Sequence, residues 1–251
     1  MFSSDQLREL ESEVEQINER YERLMLAFVN RQYKTDEARE HGTHGFARRV
    51  GVMRRCIHNV FRILPPSRTS VPEPDDLADA SISVQAFVFN VFGSIDNLAW
   101  IWVHEKSVVT PKGKQLSRGQ VGLSANYPIV RNSLPPTFQL YLTNCEKWLD
   151  HLESYRHALA HRIPLYIPPY RVKKENEAHY RDLDRRMDEA VAAHRFDEYE
   201  RLSAEQLSFC DFFPVMTHSY GEKAKPVVFH PQMIADFKTV EEIALNFVKE
   251  L

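Results

Sequence analysis

Glycine is scarce in this chain, with eight among 251 residues. A shortage of the most permissive turn former argues for helices over a meander of strands and tight loops. Cysteine is scarcer still. Cys56, Cys145 and Cys210 are odd in number, far apart and set in apolar surroundings, so they support neither a disulfide framework nor a zinc-binding spacing and read as reduced core thiols. A strong net charge is also missing. At −3 overall, any nucleic-acid site must be a local patch. No apolar run approaches membrane-spanning length; the longest candidate, Ala86 to Phe92, is interrupted by Asn90, and the start MFSSDQLRELESEVEQ lacks the apolar region of a secretory signal. These absences lead to the expectation of a cytoplasmic protein with no membrane association. P-loop, Rossmann, nucleophile-elbow and zinc-ribbon patterns do not occur either.

What is present is an ordinary soluble composition, 43% hydrophobic and 27% charged, on a chain long enough to bury a sizeable core. Ser4 to Lys34 reads as one long helix capped by Ser4, with Leu7, Leu10, Val14, Ile17, Tyr21, Leu24 and Phe28 near a heptad period. Packing on its own domain is the preferred reading, and an oligomerising coiled coil the sharper one. His41-Gly42-Thr43-His44-Gly45 breaks the pattern, and a second helix spans Phe46 to Leu64, ended by Pro65-Pro66. Asp75 to Lys106 is apolar on nearly all sides, Ile82 included, which predicts a buried central helix. Ser94, Asp96 and Asn97 interrupt it. Buried polar groups need partners, so these reach a loop or line a functional pocket.

Between Glu105 and Glu146 there is no acidic residue, while Lys106, Lys112, Lys114, Arg118 and Arg131 all occur. An irregular connection of one charge sign over 107–136 is a candidate phosphate-facing lid, or simply a solvated loop. Phe138 to Arg162 then forms an amphipathic helix whose apolar positions recur at three- and four-residue steps. Pro164 disfavours helical geometry at Ile163 and stops it. Residues 164–172 can only be extended, 173–206 return to a charge-dense helix, and 212–219 with 225–230 resemble a hairpin turning at Tyr220-Gly221-Glu222. The expected fold is mainly α with a small β element from residues 165–172 and 212–230, closed by an amphipathic helix over 231–251.

The end of the 138–162 helix carries Arg156-His157-Ala158-Leu159-Ala160-His161. Cations at a helix C-terminus suit the dipole, which is one account of them. The other account is chemical. An arginine followed by a polar residue, with a histidine five positions on at the end of a long helix, resembles the Arg-x4–6-His motif of HEPN domains. Those are all-α proteins that often act as metal-independent endoribonucleases. The resemblance covers mainly residues 75–165, and the buried helix with its Asp96-Asn97 break is similar in character. It implies a single domain with a HEPN-like core over about 42–165 and 231–251. The 1–34 helix and a 173–206 helical insertion would be additions to that core. The same spacing recurs at Arg39 and His44, where Gly42 and Gly45 argue against an ordered helix. His41 and His44 then read as surface-loop histidines without a metal-ligand partner set. A zinc helix of the HExxH kind would need glutamate at position 158, which is Ala158.

Ribonucleolysis without a metal requires a base for the 2′-hydroxyl proton, an acid for the leaving 5′-oxygen and a cation for the phosphorane. Histidine serves either proton role near neutrality, and arginine's planar fork suits phosphate oxygens. The resemblance therefore implies phosphate stabilisation by Arg156, acid–base work by His161 and support from His157, with Asp96 and Asn97 behind them. Lys112, Lys114, Arg118 and Arg162 are candidate RNA contacts. No metal and no cofactor is implied. At about 100° per residue, Arg156 and His161 stand about 140° apart on an ideal helix, and HEPN proteins meet this by dimerising so that two motifs line one cleft. The implied role is in bacterial defence or a toxin–antitoxin pair, with RNA as substrate and an antitoxin protein as partner. The alternative is a non-catalytic HEPN-like module that binds a nucleotide, RNA or a protein.

Overall fold

The computed structural model describes residues 2–161, 163–217 and 226–251, with the backbone alone at His161. The fold is mainly α with small two-stranded ladders. Helix α1 (Ser4–Val29) is capped by Ser3, not Ser4: the Ser3 hydroxyl accepts from the Gln6 amide while the Gln6 side chain returns to the Ser3 amide. Its buried Leu10, Ile17, Leu24 and Phe28 pack against α3 (Ala47–Ile63) and α10 (Phe229–Glu250). Ion pairs Arg20–Glu241 and Lys238–Glu13, each 2.7 Å, tie α1 to α10. The helix stops at Val29, short of the expected Lys34.

The expected break at 41–45 is instead continuous helix. α2 (Asp36–Arg39) runs through a π-helical stretch, Glu40–Phe46, straight into α3. The two glycines are there for space. A Cβ on Gly42 would overlap the Tyr33 ring, whose hydroxyl donates to the Phe28 carbonyl at 2.9 Å. A Cβ on Gly45 would overlap the Asn97 amide.

The central helix is α4 (Pro74–Glu105), entered through Pro74 at its first turn. It packs against α3, the π-helical stretch, α7 (Glu146–His161) and α10. Its mean hydropathy reaches 1.3 over an 18-residue window, so by length and composition it could cross a membrane, which the broken run at Asn90 did not suggest. In the fold 61% of that window is buried in the bundle. Ile82 is not part of that core; it is 65% exposed.

The amphipathic stretch after Pro135 is two helices, not one. α6 (Pro136–Asn144) ends where the Cys145 amide bonds the Leu142 and Thr143 carbonyls, and α7 restarts at Glu146. The connection before it is also more ordered than expected, holding a 3-10 turn at Arg118–Gln120 and helix α5 (Pro128–Ser133). Arg131 lies buried, donating to the Leu123 carbonyl at 2.6 Å, the Gln139 carbonyl at 3.0 Å and the Thr143 hydroxyl at 3.1 Å. It clamps the loop onto α6 and does not face a phosphate.

The charge-dense 173–206 stretch is a helical hairpin, α8 (Glu177–Ala192) and α9 (Phe196–Ser208), turning at His194 with φ 53°. Strands β1 (Arg171–Val172) and β2 (Cys210–Asp211) close its base. β3 (Val215–Met216) pairs with β4 (Val227–Val228), and Tyr166 bridges Thr217. The expected single sheet is thus split into separate short ladders, and residues 229–230 belong to α10. Tyr220-Gly221-Glu222 lies outside the described residues.

Candidate functional site

Phe92, Asp96, Trp100 and His104 follow one another at four-residue steps along α4. At about 100° per residue such steps make a slowly winding stripe on one side of a helix. Over it lies a cleft formed by two adjoining hollows of about 370 and 540 Å³, which share Asp96, Trp100 and Arg118. Arg156 of α7 and Tyr127 enter from one side; His41 of the π-helical stretch and Arg49 of α3 enter from the other. Three arginines thus line the two hollows that meet at Asp96.

Arg49 is held by two asparagines of α4. Its Nε donates to Asn97 Oδ1 at 3.0 Å and its Nη1 to Asn90 Oδ1 at 3.3 Å. It can lie this close because Gly93 has no side chain; a Cβ there would overlap the guanidinium. The other end of the Asn97 amide, Nδ2, approaches His41 Nδ1 at 3.1 Å. With Oδ1 occupied by arginine, Nδ2 must donate, so His41 Nδ1 accepts and the imidazole carries its proton on Nε2. Burial, and after it the neighbouring His104, lowers the His41 pKa, with Glu40 opposing. His41 is accordingly a neutral histidine. The surface-loop reading fails here because the π-helical stretch turns His41 into the cleft and keeps it half-buried.

Asp96 is the titratable centre. Burial raises its carboxyl from 3.8 to about 6, while Arg156 and Arg49 pull it down and Glu153 pushes it up. A carboxyl at that value is mostly ionised at pH 7 yet still exchanges protons readily, the condition for a general base. Tyr127 is raised by burial and by the Glu153 and Asp96 charges, with Arg156 opposing. Asp96, Arg156, Glu153 and Tyr127 therefore share one electrostatic neighbourhood.

Arg156 is half-buried, its guanidinium carbon 5.0 Å from the centroid of the Phe92 ring. Among the described residues no carboxylate lies within ion-pair distance of it. His157 does not point with it: its Nε2 lies 3.7 Å from Glu153 Oε1, at the exposed edge. His161 ends α7, with its side chain outside the described residues, and Arg162 is outside them altogether. Of the expected RNA contacts, Arg118 lines the cleft, whereas Lys112 and Lys114 stand exposed on the turn closed by the Val109–Gln115 bridge and line neither hollow. Asn97 lines one of the two hollows and bonds Arg49 and His41, and the Ser94 hydroxyl donates to the Val91 carbonyl at 2.7 Å. Among the described residues no three His, Cys, Asp or Glu side chains converge as metal ligands.

Arg49, His41, Trp100 and Tyr127 were not singled out as site residues from the sequence. The stripe at 92, 96, 100 and 104, polar or aromatic at every four-residue step of an apolar helix, was the available signal for Trp100. Nothing in the sequence distinguishes Arg49 from Arg48, Arg54 and Arg55 beside it. Comparison with protein-family models, with curated proteins and with solved structures returned no match, so the chemistry of this cleft is argued from its own residues.

Proposed function

We propose that the chain is a HEPN-like endoribonuclease that cuts single-stranded RNA by attack of the 2′-hydroxyl, without a metal. One observation carries the reading: Arg49, Arg118 and Arg156 line a single cleft around Asp96, a carboxyl whose pKa is raised to about 6. Cations around a developing phosphorane and a base poised near neutrality are the two things this reaction needs. Asp96 takes the 2′-hydroxyl proton. The 2′-oxygen attacks phosphorus, the bond to the 5′-oxygen breaks, and His161 supplies the proton to that leaving oxygen. Arg156 and Arg49 hold the non-bridging oxygens, and Asn97 positions Arg49 and His41. The products are a 2′,3′-cyclic phosphate and a 5′-hydroxyl. The resemblance extends the proposal to a homodimer acting in defence or beside a protein antitoxin.

The test is cleavage of end-labelled single-stranded RNA in EDTA by the wild type and by Arg156→Ala, His161→Ala and Asp96→Asn. Loss in all three with the fold intact supports the assignment. Undiminished cleavage by Arg156→Ala rejects it. The second reading, a non-catalytic binding module, draws on Arg49 being already clamped by two asparagines as a fixed anion contact. It is the outcome if the wild type binds RNA through Arg156 and never cuts it.

A further inference from the structure

Next to the arginines lies a group of rings that the proposed chemistry does not use. Trp100, His41 and His104 are mutually near-parallel, with interplanar angles of 8°, 16° and 24°. Their centroids are 5.6, 5.6 and 5.5 Å apart. A column of three stacked rings would place its outer members at about twice the inner spacing. Equal sides mean a triangle, so no ring is sandwiched between the other two. All three are half-exposed. Trp100 reaches the arginine cleft on one side and, on the other, a third hollow of about 360 Å³ beside His104 and the Val108–Gln115 turn.

One ring of the group is also held in place. His41 accepts from Asn97, and that same Asn97 orients Arg49. A group of near-parallel, partly open aromatic rings beside a cluster of guanidinium groups is what an unpaired base requires. The base stacks on the rings while its phosphate stays among the guanidinium groups. A rigid ring loses little conformational freedom on contact, and the low His41 pKa keeps a positive charge off the stacking face. The ordinary alternative is a cluster whose rings merely pack on each other. Packing alone would not need three half-exposed rings at the junction of two hollows.

We propose that Trp100, with His41 and His104, is a stacking subsite for an unpaired nucleobase. It takes single-stranded RNA running from the Arg49–Arg118–Arg156 cleft over Trp100 toward the third hollow. This rests on the reading of the cleft as an RNA site. The experiment compares 2′-O-methyl oligouridine of about ten residues, which the proposed chemistry cannot cut, with an abasic strand of equal length and charge. Fluorescence anisotropy gives the affinity of each for the wild type, Trp100→Ala, Trp100→Phe and Arg156→Ala. Base stacking on one aromatic residue corresponds to roughly a five- to hundredfold change in affinity. The wild type is expected to bind the abasic strand weaker by about that factor. Trp100→Ala should lose a similar factor for oligouridine and almost none for the abasic strand, with Trp100→Phe recovering most of it. Equal wild-type affinity for the two strands overturns the subsite, and that comparison holds even if Trp100→Ala does not fold. If the wild type binds neither strand, or Arg156→Ala binds both as the wild type does, the RNA reading of the cleft fails and the subsite with it.

Discussion

Replacing Asp96 with asparagine separates what the carboxylate costs the fold from what it does for the chemistry. Its carboxyl is pushed up to about 6 against 3.8 in an unconstrained chain, chiefly by burial. The folded state therefore favours the protonated form. That contribution to stability is fully present below about pH 3.8 and is lost as the pH rises through about 6. A displacement of about two pH units corresponds to about 3 kcal/mol at most, and water reaching the cleft reduces it. Asparagine has the same shape and no charge to desolvate. In urea unfolding from pH 4 to pH 7.5, Asp96→Asn should therefore gain on the wild type as the pH rises, by up to about 3 kcal/mol. Asp236, also raised to about 6 by burial, adds the same slope to both proteins and cancels in the difference. Activity should move the opposite way. Losing a general base costs roughly a hundred- to ten-thousandfold in rate. The rise of wild-type kcat/KM with pH, levelling off near 6, should vanish in the variant. Parallel stability curves for the two proteins would refute the desolvation argument. An unchanged pH–rate profile would refute the assignment of Asp96 as the base.

Two further substitutions test the packing around the cleft. Gly93→Ala places a methyl group where the Arg49 guanidinium lies. Alanine is the better helix former by up to about 1 kcal/mol, so the fold should survive while RNA affinity drops to that of Arg49→Ala, and the double variant should be no worse than either. Arg131→Met removes the donors to the Leu123 and Gln139 carbonyls. Leaving buried acceptors unmet should cost roughly 2–4 kcal/mol in thermal or urea unfolding, and loss of RNA binding with stability unchanged would show that Arg131 contacts phosphate instead.

The long elements were legible from periodicity alone. Helix α4 reads as central because it is apolar all round, and α10 by its inward Ile234, Phe237, Val240, Ile243 and Phe247. The break at Cys145 was hidden because the three- and four-residue spacing of apolar side chains continues across it. At the break the contacts are tertiary: Glu146 accepts from the Ala125 amide at 2.8 Å and approaches Arg131 at 3.6 Å. The π-helical stretch was misread for a related reason. Propensity charges Gly42 and Gly45 for lost helix stability, but it cannot register that Tyr33 and Asn97 need the space. Of the site, Asp96 and Asn97 were visible as polar groups in an apolar helix, and Arg156 as a motif. Arg49 and His41 were not, since what joins them is a single asparagine of another helix, which leaves no spacing to detect.

The central claim is that this cleft drives 2′-hydroxyl attack on RNA with Arg156 on the phosphate. The most direct measurement is mass-spectrometric identification of product ends after incubating single-stranded RNA with the wild type and with Arg156→Ala in EDTA. The 2′-hydroxyl attack proposed for this cleft should give 2′,3′-cyclic phosphate and 5′-hydroxyl ends from the wild type, and lose them in Arg156→Ala. Ends bearing a 5′-phosphate, or the same cyclic ends at the same rate from both proteins, would contradict it.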